Sequence, residues 1–331
     1  GGIKIKSIQG NVSTLDAITN SYSNCKNVSY DENGNYIPLI RVRSKIFGNK
    51  IISLPFMDVG GIFGSSKNSF KILLKKIVES FKDTRIEIKL NDIEKNFQGF
   101  YRELESLGFG VRKAKQQFYI LIENPETKWK KFHKHTRNDI RKAEKSSLKI
   151  VPINNDSELK KFYTLYFDEM KRFGTPPHSR KFFLNLAHEL KDKFYGLNCY
   201  KDNKLIASTV LVKSEEVAYL WFNVSDQKYR NFRPNDLLYW ANVKEAYREK
   251  ISFIDSGQID LNPQDKRSEG LLKFKQKWLG ESHQKYLFTY PSEESESSKK
   301  EKLKKFRKIW SLLPNPIIKL IGPKICSELG N

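Results

Sequence analysis

Hydrophobic periodicity in this chain switches between two and 3.6 residues several times, with the same grammar on either side of residue 126, and that repetition constrains the fold more than any other feature. Before residue 126, turn chemistry at Asp31-Glu-Asn-Gly-Asn35 leads into residues 36–47, where Leu39–Val42 alternates apolar and basic side chains. The two together predict a hairpin entering a half-exposed strand. Lys50–Phe56 predicts a second strand, ended by Asp58-Val-Gly-Gly-Ile-Phe-Gly64. Phe70, Leu73, Leu74, Ile77, Val78 and Phe81 are spaced as one face of a helix over 67–82. Arg85–Leu90 and Gln117–Ile122 read as strands, and Phe97–Leu107 as a helix stopped by Gly108.

After residue 126 the same pieces return. Residues 126–147 predict a basic helix, followed by helices at Asp156–Arg172 and Arg180–Lys193. Strands at Tyr195–Tyr200, Lys204–Val212 and Val217–Val224 form a meander whose first turn is Asp202-Asn203. Helix Asn235–Lys250 and strands Phe253–Asp255 and Lys285–Tyr290 complete the series. Such an order predicts the α/β (α+β) class, with mixed, largely antiparallel sheets flanked by helices rather than a doubly wound sheet. At 331 residues the chain has room for two domains. The expected boundaries are 1–125 for the first, 126–149 for a basic linking helix, 150–292 for the second, and 293–331 for a charged linker and amphipathic tail.

Charge narrows the partners. The formal net charge is +22, which attracts polyanions such as nucleic acid, anionic lipid or phosphorylated substrates. Scattered surface lysine is the plainer account of the same excess. Cys25, Cys199 and Cys326 lie far apart, with neither metal-ligand nor paired-disulfide spacing, and fit a reducing compartment. His133 and His135 stand two apart and are expected on different sides of a helix, so no metal site is expected. No stretch approaches the roughly 18 continuous apolar residues of a membrane span.

Five stretches, in order, carry a resemblance to a known family. They are Ser53-Leu-Pro-Phe56 with Gly60-Gly61; Arg137-Asn-Asp-Ile-Arg-Lys-Ala-Glu-Lys145; Phe173-Gly-Thr-Pro-Pro177 with Phe182-Phe183; Pro234-Asn-Asp-Leu-Leu238; and Phe274-Lys-Gln-Lys-Trp278 with Gly280. Together they resemble the Fem-like (FemAB-type) aminoacyl and acyl transferases of the GNAT superfamily. The resemblance implies tandem GNAT-type domains, the first degenerate, and transfer of an activated acyl or aminoacyl group to an amine or hydroxyl. It implies no tightly bound cofactor, with aminoacyl-tRNA or acyl-CoA as the donor substrate. The acceptor is expected to be a cell-envelope precursor, such as a peptidoglycan-type peptide or an amino sugar. A cytoplasmic enzyme, peripheral at the inner face of the membrane, follows as an expectation.

Candidate site residues come from the same stretches. Lys275, between aromatics, could place positive charge where an oxyanion or phosphate develops, with Lys273 as a rival if the piece is extended. Asp255, at a strand end beside Ser256-Gly257, could be a general base or acceptor anchor, or simply cap a turn. Tyr219 and Trp221 share a strand face by period two and could line the acceptor cleft or pack a core. Ser53, Gly60 and Gly61 are expected on the acceptor side. The donor turn Gln227–Asn235 has no glycine to cradle a pyrophosphate and offers Lys228, Arg230 and Arg233 instead. The basic helix carries nine Lys and Arg residues from Lys128 to Lys149, with Arg141 the favoured phosphate or tRNA contact and a solvated linker helix as the alternative. The tail 306–329 interleaves apolar and basic residues, and could lie on an anionic bilayer or dock onto its own domain. Two other functions fit less of this: an ordinary acyl-CoA N-acyltransferase, and an inactive GNAT-like module that binds RNA or anionic membrane.

Overall fold

The computed structural model describes residues 12–32, 34–45, 47–63, 67–260, 266–292, 310 and 312–329. The charged linker expected at 293–304 lies outside the described residues. In chain order the elements are α1 (Val12–Ser21), β1 (Cys25–Asn27), β2 (Tyr30–Glu32), β3 (Asn35–Ile37), β4 (Leu39–Val42), β5 (Lys50–Ser53), α2 (Lys67–Ser80), β6 (Arg85–Asn91), α3 (Phe97–Ser106) and β7 (Gly110–Leu121). Then come α4 (Pro125–Lys131), α5 (Lys134–Lys145), β8 (Lys149–Pro152), α6 (Asp156–Arg172), α7 (Arg180–Leu190), β9 (Phe194–Lys201), β10 (Lys204–Lys213) and β11 (Val217–Ser225). The last are α8 (Pro234–Arg248), β12 (Phe253–Ile259), α9 (Lys266–Lys277), β13 (Gly280–Tyr290) and α10 (Asn315–Leu329).

Two compact units form, and neither is continuous in sequence. One comprises residues 1–115, 173–189 and 283–331; the other comprises 116–172 and 190–282. These divisions differ from the boundaries drawn at 125, 149 and 292. The reason is packing: β13 pairs antiparallel with β6, and Phe182 of α7 stacks on Tyr22 at 5.8 Å, so both segments join the first unit.

In the first unit the strand order is β1-β4-β5-β6-β13-β7, with β5 parallel to β6 and the β1–β4, β4–β5 and β6–β13 pairs antiparallel. Helices α2 and α3 bury Phe70, Leu73, Leu74, Phe100 and Leu104 against Ile51, Ile86 and Ile88 of the sheet. Gly108, at a φ of 86°, takes the left-handed step that ends α3. The expected hairpin is β2–β3, with Gly34 at a φ of 75° in its turn. The tail docks on this unit through α10: Gly322 abuts Pro177 and Trp310, and Trp310, Ile318 and Cys326 are buried.

In the second unit the order is β7-β12-β11-β10-β9-β8, antiparallel except for β11 beside β12. Asp202 and Asn203, both at positive φ, make the two-residue turn between β9 and β10 that the sequence indicates. The basic helix is two helices. Phe132 and His133 leave helical geometry at ψ of 140° and 151°, and the His133 ring caps the next helix by accepting from the His135 amide. Because His133 is a cap, its ring lies 5.0 Å from that of His135, which overturns the expectation of opposite sides. The strands of each unit are thus mixed in sense, mainly antiparallel and flanked by helices, as the sequence predicts.

Candidate functional site

The site is built where two strands part. β11 and β12 pair in parallel only from Val217 with Phe253 to Tyr219 with Asp255. Beyond that rung β11 stays with β10 as far as Ser225, and β12 turns to β7 through Gln258 with Gln117. The result is a wedge at the C-terminal ends of the two strands, the end at which α/β sheets receive ligands.

β11 also carries a bulge. Leu220 faces Leu211 and Phe222 faces Val210, which makes Trp221 the extra residue. Simple alternation therefore fails here. Trp221 and Phe222, neighbours in sequence, stack at 5.4 Å and 15°, and Tyr219 lies 6.1 Å from Trp221. Phe222 in turn packs edge-on to Tyr166 of α6 at 5.5 Å.

The Lys275 stretch is helical, not extended. Residues two apart on a helix point to different sides, so Lys273 is exposed and Lys275 is buried. The Lys275 ammonium donates to the carbonyl of Ser256, beside the rung where the strands part. Asp255 is fully buried, and its Oδ1 accepts from Gln117 Nε2 at 2.6 Å and from the Gly257 amide at 2.9 Å. Gly257 has a φ of 86°, a conformation that favours glycine. On α8, Tyr239 is buried edge-on to Phe274 at 4.8 Å. Burial first, and then the charges of Asp236 and Asp255, raise the Tyr239 phenol against a hydrogen bond with Asn223, so it stays a neutral O–H. Sequence reasoning missed Gln117, Asn223 and Tyr239. A buried amide inside the apolar run Gln117–Leu121 was the available signal for the first.

A charged network braces this corner. Lys277 Nζ lies 2.6 Å from Asp139 Oδ2 and 2.5 Å from Asp236 Oδ1, and Arg233 Nε lies 3.0 Å from Asp139 Oδ1. Burial pushes the Asp236 carboxyl up, against the pull of Lys277. The network joins α5, α8 and α9.

At the donor turn, Gln227–Phe232 forms a 3₁₀ turn, and Arg233 sits in the left-handed region at a φ of 60° before α8 begins at Pro234. Several backbone amides in and just after the turn are engaged within the chain. Lys228 N donates to Asp226 Oδ1, Tyr229 N to Asp226 O, Arg233 N to Arg230 O, and Asp236 N to Arg233 O. Lys228 and Arg230 are exposed, whereas Arg233 is paired with Asp139. On α5, Arg141 lies over the Trp129 ring at 5.4 Å. With Asn138, Lys142, Lys145 and Ser146 it lines an open concavity of about 400 Å³.

Ser53, Gly60 and Gly61 lie in the first unit and form a buried brace. Ser53 Oγ accepts from the Lys89 amide at 2.8 Å, and the Gly60 amide donates to Lys89 O at 3.1 Å. A Cβ on Gly60 would overlap the Ser53 side chain. Leu54 and Phe56 hold φ of 46° and 70°, and the Lys89 ammonium donates to Leu54 O at 2.8 Å and Met57 O at 2.5 Å.

The second unit therefore holds a buried cation, a buried carboxylate and a neutral phenol around one opening in a sheet. A fixed cation and an O–H can stabilise an oxyanion, and a carboxylate can orient or deprotonate an attacking amine. Among the described residues no group of three His, Cys, Asp or Glu could hold a metal ion. Nor, among those residues, is any helix long and apolar enough to cross a membrane.

Residues 130–267 match the family model "Acetyltransferase (GNAT) domain". Among solved structures, FemX is similar with a TM-score of 0.65 at 15% identity, covering 84% of this chain and 90% of FemX. L-PGS from Bacillus licheniformis has a TM-score of 0.59 at 10% identity over 97% of this chain and 99% of its own. A tandem GNAT protein from the clavulanic acid biosynthesis pathway has a TM-score of 0.52 at 9% identity over 89% and 99%. No curated protein matches the chain. Residues 130–267 thus match a GNAT acetyltransferase domain, and the chain shares the fold of FemX.

Proposed function

We propose that this protein is a Fem-like transferase that moves an activated aminoacyl or acyl group onto an amine or hydroxyl of a cell-envelope precursor. The observation that carries the reading is the buried Lys275 ammonium held on Ser256 O, next to Asp255, where β11 and β12 part. In this scheme the reacting carbonyl enters the wedge, Lys275 stabilises its developing negative charge, and Asp255 orients or deprotonates the acceptor. Tyr219 and Trp221 line the acceptor side. Lys228, Arg230 and Arg233 meet donor phosphates, and Arg141 meets a more distant one.

Aminoacyl-tRNA is the favoured donor. The turn has no glycine, and its Lys228, Tyr229 and Arg233 amides already donate within the chain, which leaves fewer to cradle a pyrophosphate. Exposed cations there and on α5 suit an RNA backbone. A second reading, acyl-CoA-dependent N-acyl transfer, is supported by the acetyltransferase match over 130–267. Incubation with mixed aminoacyl-tRNA or with acyl-CoA, plus peptidoglycan-type peptides and amino sugars, separates the two by product mass. An acceptor gaining an amino-acid residue only with tRNA supports the first reading; an acyl adduct only with CoA supports the second.

A further inference from the structure

The tail does more than choose between docking and exposure: it is divided lengthwise. Trp310, Ile318 and Cys326 face inward, while Leu312, Ile317 and Leu320 are 79%, 43% and 72% exposed. Leu312 and Leu320 are the two most exposed large apolar side chains among the described residues. Helical spacing puts Ile317, Leu320, Ile321, Lys324 and Glu328 on one stripe of α10. That stripe leads to the β4–β5 turn. The Ser44 hydroxyl donates to Glu328 Oε2 at 3.1 Å, Lys50 Nζ donates to Leu329 O at 2.6 Å, and Phe47 in the same turn is 47% exposed. Arg43, Lys45, Lys319 and Lys324 are exposed beside these apolar groups.

We infer that this ridge of the first unit, from Leu312 along α10 to Phe47, docks on an anionic lipid surface. The apolar side chains enter the headgroup boundary, and the flanking cations meet lipid phosphates. Its inner face packed on the unit, α10 presents a fixed surface rather than a loose tail. Charge decides the occupant. A second copy would bring two chains of +22 and two sets of these cations together, which like-charge repulsion opposes. A bilayer of opposite sign has no such penalty. The inference does not depend on which group the second unit transfers.

The test is flotation of the full chain with phosphatidylcholine vesicles, with and without phosphatidylglycerol, at low and high salt. The expected result is flotation only with the anionic vesicles, reversed by salt, and weakened at least about tenfold by Leu320→Asp. Leu312→Ser, which precedes α10 and leaves its packing intact, should weaken it in the same direction. No flotation, or flotation that both variants retain, would overturn the proposal. So would a dimer in sedimentation velocity that Leu320→Asp disperses, because the ridge would then belong to a second copy.

Discussion

Tyr219 and Asp255 face each other across the last rung at which β11 and β12 pair. Everything assigned to the site depends on that rung, because it fixes a carboxylate at the point where the sheet opens. Replacing Asp255 by Asn keeps the volume and an oxygen for the Gln117 amide, but removes the charge. The expected outcome is a fall in kcat of roughly 10²-fold or more with the fold retained. Steady-state kinetics with circular dichroism checks it, and unchanged kcat would reduce Asp255 to a turn cap.

Lys275→Met should lower kcat by roughly 10²–10³-fold, the usual loss when one oxyanion-stabilising donor is removed. The Ser256 carbonyl would lose its ammonium partner, costing about 1–3 kcal/mol of stability as well. Lys273→Met, on the exposed side of the same helix, should leave both quantities near wild type. Equal effects from the two variants would contradict the assignment.

Gly60→Ala tests the brace in the first unit. The new methyl would meet Ser53 Oγ and Cβ, with the Ser53 carbonyl only 2.8 Å away. Overpacking of this kind costs about 1–3 kcal/mol, which should appear as a lower thermal midpoint. A midpoint equal to wild type would mean the loop adjusts freely.

Burial and the neighbouring charge of Lys285 lower the Lys89 ammonium to about 7. Its folded value lies below its unfolded one, so between about pH 7 and the ordinary lysine range the unfolded chain binds the extra proton. Stability from this group therefore rises with pH through that window, by up to about 1.4 kcal/mol per pH unit. Denaturant titrations of wild type and Lys89→Met at several pH values should show the slope disappearing in the variant. A difference between the two that does not change with pH would contradict this.

Much of the fold can be read from local signals. Asp202-Asn203 and Gly108 mark their turns because few other residues accept positive φ there. The site is less legible. Leu272, Phe274 and Trp278 fit a period of two, whereas Leu271, Phe274 and Trp278 fit one of 3.6, so the choice between extended and helical is made only by the tertiary packing that seats Trp278 against Phe132 and Tyr239. The bulge at Trp221 depends on register with β10, which no local pattern encodes. Gln117 reaches Asp255 across 138 positions of sequence. The split of the basic helix rests on one ring, His133, capping the next turn.

The most direct test of the account is transfer in a single turnover. The protein would be mixed with aminoacyl-tRNA and a peptidoglycan-type peptide, with the acceptor followed by mass spectrometry for wild type and Lys275→Met. The account predicts an acceptor heavier by one amino-acid residue with the wild type, and almost none with the variant. Equal product from both proteins would contradict it.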